Sequence, residues 1–379
     1  MDNASRRTFL QSASAAGAFT IMSPSAAFSY QANSKISVGL IGVGGRGTYD
    51  ATIVNGDPRA HITALCDKFD DRIEAGAQKM GLSNPAKYHD YEKLLASPDI
   101  DAVVIGTPPF LHPVMLETAV EAKKHIYCEK PAGVDLAGCQ RVIAAGKKCD
   151  PKKNLTFGFQ QRYGPVYLEA YKRLRDGQIG ELSAARGFWI SGDPFKRNEY
   201  PADVAKLRNW FSYRDYSGDI IVEQDCHNFD VLHWFIGALP VRVVGMGGTK
   251  VRTSMDILDH LSLTYEYANG LHVNFEANQL TPPGFSRVGE EFTGTKGTLE
   301  TSRKQMVHHL SAKDHDVIQS ARDITNDSIE AFLGRILSGE VENVAHRSAL
   351  STLMAILGRT AIYEKREAAW KAEFGDIAA

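Results

Sequence analysis

The run Lys35–Ile41 (KISVGLI) passes directly into Gly42-Val43-Gly44-Gly45-Arg46-Gly47, and this junction restricts the chain more than any other stretch. A short apolar run bounded by glycines reads as a buried parallel strand. Gly42, Gly44 and Gly47 fit G-x-G-x-x-G, and Thr48–Val54 reads as the helix that follows. The first glycine permits the tight turn, the second lets backbone approach a pyrophosphate, and the third lets helix and strand pack closely. The helix N-terminus then offers its N–H groups and positive dipole end to the phosphates. Gly45 and Arg46 lie in the same turn and join the expected cofactor-binding set. The junction predicts a doubly wound α/β domain that binds a dinucleotide.

The residues that follow supply the context. His61–Leu65 reads as a second strand leading to Asp67, whose carboxylate can bond the adenosine ribose hydroxyls and repel a 2′-phosphate. NAD is therefore expected over NADP, with Arg46 the one residue nearby that could accept a phosphate. Strands are read at Asp101–Ile105, His125–Cys128 and Asn154–Phe159, and helices at His112–Ala122 and Val134–Lys148. This alternation implies a parallel sheet with helices on both faces. Ligands of such sheets sit at the carboxyl ends of the strands. Gly42–Gly47, Asp67, Thr107-Pro108-Pro109 and Glu129-Lys130-Pro131 fall along that edge. Thr107, Pro108, His112, Glu129 and Lys130 complete the expected cofactor site.

Glu129-Lys130-Pro131 at a strand end, with the glycine turn and Asp67 before it, resembles the Gfo/Idh/MocA family (relatives of glucose-fructose oxidoreductase and inositol dehydrogenase). The resemblance spans about Lys35 to Trp370. It implies an NAD(P)-dependent oxidoreductase acting on CH–OH groups of a small carbohydrate. It further implies that Lys130 sits between nicotinamide and substrate, that Pro131 is cis, and that an Asp-x-x-x-His pair completes the site. The matching histidine is His227, and Glu223 stands where the family has aspartate, one carbon longer. Asp225 and Asp230 are further acidic candidates.

Residue chemistry agrees with that reading. Glu223 and His227 are spaced i, i+4 and are expected on one helix face. Hydride can leave a carbinol only if its hydroxyl proton also leaves. An imidazole with an ordinary pKa of about 6.5 can take that proton, and a neighbouring carboxylate can orient it. Lys130 can stabilise the developing alkoxide. The plain alternatives are a core histidine, a surface lysine and a carboxylate paired to an arginine. The spacing of Glu223, His227 and Asp230 matches no zinc or calcium signature, so no metal is expected.

The second half reads as an α+β domain with a large, mostly antiparallel open sheet. Strands are expected at Leu182–Ile190, Val241–Lys250, Leu258–Tyr267, Leu271–Gln279 and Val288–Thr293, with a hairpin turn at Asn269-Gly270. One sheet face covers helices, and the other is a candidate oligomer face for a dimer or tetramer. Closing helices are read at Asn326–Leu337 and His346–Tyr363. In relatives, polar residues after the strand at 154–159 line the substrate pocket, which nominates Gln161, Arg162 and Tyr163. Asp230 and Trp189 are added, the latter from an aromatic and charged stretch (Arg186–Trp210) whose composition suits a sugar. The expected division is 1–33 signal and linker, 34–155 nucleotide-binding domain, and 156–379 substrate-binding domain.

Ser5-Arg6-Arg7-Thr8-Phe9-Leu10-Gln11, a weakly apolar Ser12–Met22 and a small-residue stretch to Ser29 follow the pattern of a twin-arginine export signal. The twin-arginine machinery is thus an expected partner and an extracytoplasmic compartment the expected location. That route carries folded proteins, which suits five cysteines without a CxxC pair. Net charge is −2, so nothing favours nucleic-acid binding. An exported enzyme meets no large pool of free NAD, so a tightly bound cofactor is expected. The leading function is oxidation or reduction of a sugar or polyol hydroxyl. A redox-neutral glycosidase or lyase, and a non-catalytic NAD- or sugar-binding protein, are the alternatives.

Overall fold

Short apolar runs build the first sheet, whose central strands water reaches on neither face. Its strands are β1 (Ile36–Ile41), β2 (Ala60–Cys66), β3 (Ala86–Tyr88), β4 (Ala102–Ile105), β5 (His125–Cys128) and β6 (Leu155–Phe157). In this computed structural model, which describes residues 35–195 and 197–377, they form one six-stranded sheet in the order β3-β2-β1-β4-β5-β6, parallel throughout. The expected export signal, residues 1–33, lies outside the described residues. Strand order reverses between β1 and β4, which opens a crevice at their carboxyl ends. The helix after β1 runs from Gly45 to Gly56, three residues earlier than expected, so its first turn lies within the glycine motif itself. The helix expected at Val134–Lys148 starts at Leu136, because Asp135 caps it by accepting the Gly138 N–H at 2.7 Å.

The second sheet collects β7 (Leu182–Ile190), β8 (Arg242–Gly248), β9 (His260–Glu266), β10 (His272–Asn278), β11 (Arg287–Gly294), β12 (Thr298–Thr301), β13 (Gln305–Ser311), β14 (Asp314–Gln319) and β15 (Ala368–Ala369). Their order is β14-β13-β12-β11-β7-β10-β9-β8-β15. Alternation is clear in β10, where Val273, Phe275 and Ala277 point inward and the residues between them outward. The hairpin at Asn269-Gly270 forms as expected, with Gly270 at φ 83°. The sheet is mostly antiparallel as expected, with one parallel pair among the described strands, β7 and β10 at its centre. β7 follows the helix Pro165–Arg175 and has no hairpin partner to fix its direction. Strands β12, β13 and β14, short or highly exposed, were not legible as strands.

The helices Cys226–Ile236 and Ala345–Glu364 cover one face of this sheet. The other face leaves Val244 and Met246 uncovered, the latter 82% exposed. The expected boundary at 155/156 falls inside β6, and the two halves are joined further by chain that returns. Ile329, Phe332 and Leu333 of the helix Ile324–Ser338 pack on Val38, Leu40, Val104 and Tyr127 of the first sheet. Burying one such side chain contributes roughly 1.5–3 kcal/mol. The Tyr127 hydroxyl, in that apolar layer, meets the Ser328 hydroxyl at 3.1 Å. All five cysteines are free.

Candidate active site

The glycine turn forms the floor of a cleft of about 560 Å³. Gly42 sits at φ 89°, and a Cβ there or at Gly47 would strike backbone of the neighbouring turn. Gly44 and Gly45 face open space, where a Cβ would meet nothing. That is the shape a pyrophosphate needs above a helix N-terminus. Asp67 lines the same cleft and accepts the Val43 N–H at 2.8 Å and the Phe69 N–H at 3.1 Å, which fix its carboxylate at the end of β2. Thr107, Pro108 and Lys130 line the opposite wall. The residues present thus fit NAD.

Beneath the turn lies a buried charge cluster. Arg46 donates from Nε to Glu129 at 2.9 Å and lies 3.3 Å from Asp50. Burial favours neutral Glu129, but the cations Arg46 and Lys130 outweigh it and hold its carboxyl below the usual range. Asp50, fully buried beside Glu129, is driven the other way, well above the ordinary value. Arg46 therefore braces the floor of the cleft. Its Nε is committed to these carboxylates, while its Nη2 is buried without a partner among the described residues.

Lys130 follows at a cis peptide to Pro131. Its ammonium donates to the Glu223 carboxylate at 2.9 Å and to the Glu223 carbonyl oxygen. Burial lowers its pKa, but Glu223 and the other nearby charges raise it further, and the group remains an ammonium. The second bond explains a departure from expectation. In a continuous helix the Glu223 carbonyl would accept the His227 N–H. Lys130 takes that acceptor, and the helix breaks into Ile220–Glu223 and Cys226–Ile236. Asp225 N–H reaches back to Ile220 instead, at 3.1 Å. Glu223 and His227 therefore do not share one helix face, and Glu223 serves Lys130 rather than the imidazole.

His227 lies behind this pair, 4% exposed, with Nδ1 unpartnered among the described residues. Trp189 stacks on it with ring centroids 5.9 Å apart, and Phe159 meets it edge-on at 6.0 Å. Burial, then Arg303, Lys130 and Arg46, push its pKa well below 6.5, so the ring is neutral and free to accept a proton. This fixes the pH dependence. With His227 as proton acceptor and Lys130 as the charged donor, the expected rate falls as His227 is protonated, and its lowered pKa moves that acid limb down; loss of the Lys130 proton gives an alkaline limb above the ordinary 10.5. Expected kcat/KM is flat over a series from about pH 6 to 10. A limb near neutrality, unchanged in His227 and Lys130 variants, would contradict it.

Several expected residues take other roles. His112 does not line the cleft: Nδ1 and Nε2 face the Pro131 and Thr107 carbonyl oxygens at 2.8 and 2.9 Å, so it braces the two loops that do. Arg162 and Asp230, expected at the substrate, form a two-point ion pair at 2.7 and 2.9 Å, and Asp230 also accepts the Ser351 hydroxyl at 2.8 Å. Tyr163 donates to Glu342 at 2.7 Å. These three stitch the helix Cys226–Ile236 and the C-terminal segment to the strand end. Gln161 is buried, its Oε1 without a partner among the described residues. Glu223, His227 and Asp230 are tied to different neighbours and do not converge as ligands. Two features escaped sequence reading. One is the helix Ala202–Arg208, which overhangs the cleft and whose Arg208 grips Asp71 at 2.6 Å and stacks on Phe69 at 3.8 Å. The other is Arg303.

Residues 36–153 match a family model described as the oxidoreductase family with an NAD-binding Rossmann fold. Residues 167–300 match that of the GFO/IDH/MocA C-terminal domain. The scyllo-inositol 2-dehydrogenase (NAD(+)) of Bacillus subtilis (strain 168) is 30% identical over 290 residues, 74% of this chain and 78% of that protein. The inositol 2-dehydrogenase of Rhizobium meliloti (strain 1021) is 26% identical over 88% of this chain and 98% of its own. A levoglucosan dehydrogenase solved with NADH and levoglucosan superimposes with a TM-score of 0.76 at 19% identity, over 89% of this chain and 99% of that one, and so shares the fold. The glycine cradle, the Lys130–Pro131 strand end and these matches lead to one conclusion: the chain belongs to the Gfo/Idh/MocA family of NAD-binding oxidoreductases.

Proposed function

We propose that the protein oxidises a secondary hydroxyl of a sugar, polyol or sugar derivative, using a tightly held NAD in an extracytoplasmic compartment. The observation that carries this is the Lys130 ammonium, fixed by Glu223 at the wall of the dinucleotide cleft, with the neutral imidazole of His227 close enough to feel its charge. Bound NAD supplies the hydride acceptor. Lys130 donates a hydrogen bond to the reacting hydroxyl and stabilises the alkoxide character that develops there. His227 takes the proton. Trp189 offers a flat apolar face beside it, suited to the C–H face of a ring. The names of the relatives, inositol and levoglucosan dehydrogenases, support the substrate class.

Tight retention of NAD rests on the helix Ala202–Arg208 closing over the cleft. Export rests on the twin-arginine pattern at Arg6-Arg7, and assembly as a dimer or tetramer on the uncovered sheet face around Val244 and Met246. The deciding experiment denatures the purified protein, assays released NAD(H), and incubates the native enzyme with inositols, free sugars and aryl glycosides. NADH formed with a free polyol or sugar is the expected result. Aglycone release with no net NADH would replace this reading by the redox-neutral one. Arg208→Ala is expected to weaken NAD retention on the order of 5-fold, since the Asp71 partner is exposed and the ion pair is worth little by itself; equilibrium dialysis measures it.

A further inference from the structure

Arg303 sits in the turn between β12 and β13. Ser302 pins that turn, donating its N–H to the Gln305 carbonyl at 2.9 Å and accepting the Gln305 N–H on its hydroxyl at 3.1 Å. The turn carries Arg303 inward, where its guanidinium carbon lies 5.4 Å from the centroid of Trp189, the ring stacked on His227. Its Nε is buried and unpartnered, and no carboxylate among the described residues lies within ion-pair distance of the guanidinium.

The other cations of the site are neutralised: Lys130 by Glu223, Arg46 by Glu129. Arg303 is not. Glu290 is a carboxyl in its vicinity, but burial raises the Glu290 pKa to about 8, and its oxygens already hold Thr301 and Asn228 at 2.7 Å each. Asp323 acts only from a distance, with its oxygens taken by the Thr325 N–H and the Tyr49 hydroxyl. A half-buried guanidinium with a buried, unpartnered Nε and no paired carboxylate, beside the proton acceptor, is a site for an anion, since such a charge is costly without a counter-ion. The anion has two sources: a carboxylate on the substrate, or the diphosphate of the cofactor. The position of Arg303 against Trp189, the ring stacked on His227, favours the substrate.

We propose that the substrate is an acidic sugar, a uronic or aldonic acid, whose carboxylate is held by Arg303 beside Trp189 and His227. This rests on the polyol-oxidoreductase reading and narrows its substrate class. The carboxylate is a spectator. One carbinol carbon of the acid loses its hydride to NAD⁺ and its hydroxyl proton to His227, giving a ketone, NADH and a proton released to solvent.

The test titrates the full-length enzyme–NADH complex by calorimetry with glucuronate, galacturonate and gluconate, and with glucose and inositol, and follows NADH formation from the NAD⁺ complex with the same panel. Wild type, Arg303→Gln and Arg303→Lys are compared. At least one acid is expected to bind about 100-fold more tightly than its neutral counterpart, the scale set by truncating one partner of a buried charge pair. Arg303→Gln erases that preference, Arg303→Lys keeps part of it, and NAD affinity and neutral-sugar binding stay unchanged. Neutral sugars binding as well as every acid, or no acid binding, overturns the proposal. A loss of NAD affinity in Arg303→Gln with the acid preference intact also overturns it and assigns the anion to the cofactor diphosphate. Acid binding that depends on Arg303 but gives no NADH with any compound removes the oxidoreductase reading and leaves the carboxylate site standing.

Discussion

Replacing Lys130 with methionine is expected to lower kcat/KM by roughly 10²–10⁴-fold, the usual worth of a positioned proton-transfer or charge-stabilising group. Methionine keeps length and apolar volume while removing the charge, so Asp67 and the glycine cradle retain their geometry and NAD stays bound. Glu223 then loses its ammonium partner, and its carbonyl oxygen becomes available to the His227 N–H. The break after Glu223 is therefore expected to close partly toward a continuous helix, which moves His227 as well. Lys130→Arg restores the charge but not the activity, because a planar fork cannot satisfy the Glu223 carboxylate and carbonyl as a compact ammonium does. Steady-state kinetics with bound NAD quantified in parallel is the measurement. Wild-type turnover by the methionine variant would exclude Lys130 from the chemistry.

Asp230→Ala is expected to destabilise the protein by about 3–5 kcal/mol, because it strands the Arg162 guanidinium without its counter-charge in a buried site. The loss would be read from the midpoint of a denaturant titration with bound NAD held constant. Arg162→Leu combined with Asp230→Leu is expected to recover most of it, since the pair is replaced rather than broken. Residual activity and substrate KM in that double variant should stay near the wild-type values. A raised KM with stability intact would instead return Arg162 and Asp230 to the substrate pocket, where the sequence had nominated them.

The nominated residues that line the cleft and those that pair elsewhere differ in a physical way. The strand–glycine–helix junction, Asp67, Thr107-Pro108 and Lys130 are arranged by neighbours close in sequence and by the common carboxyl edge of one parallel sheet, so local pattern was enough to bring them to one cleft. Arg162, Tyr163, Asp230 and His112 are polar residues at a strand end or helix start, and nothing local states whether such a group faces a ligand or a distant segment. Asp230 and Glu342 lie far along the chain from Arg162 and Tyr163 and claimed those side chains, and Ser351 in turn bonds Asp230. Arg303 has no motif at all: a lone arginine in a turn carries no signal until a sheet edge swings it toward His227.

Periodicity and glycine chemistry were enough to specify the parallel sheet and the dinucleotide cleft, because these follow from backbone sterics and burial that any chain with this pattern must satisfy; the lysine of the cleft came from the family resemblance instead. The fold in three dimensions alone decided which charges neutralise which. It turned an i, i+4 Glu–His pair into two separate helices by giving the Glu223 carbonyl to Lys130, made β7 and β10 parallel, and left Arg303 without a counter-ion. Those outcomes depend on competition among groups distant in the chain for a few buried acceptors, and one-dimensional spacing does not record who wins.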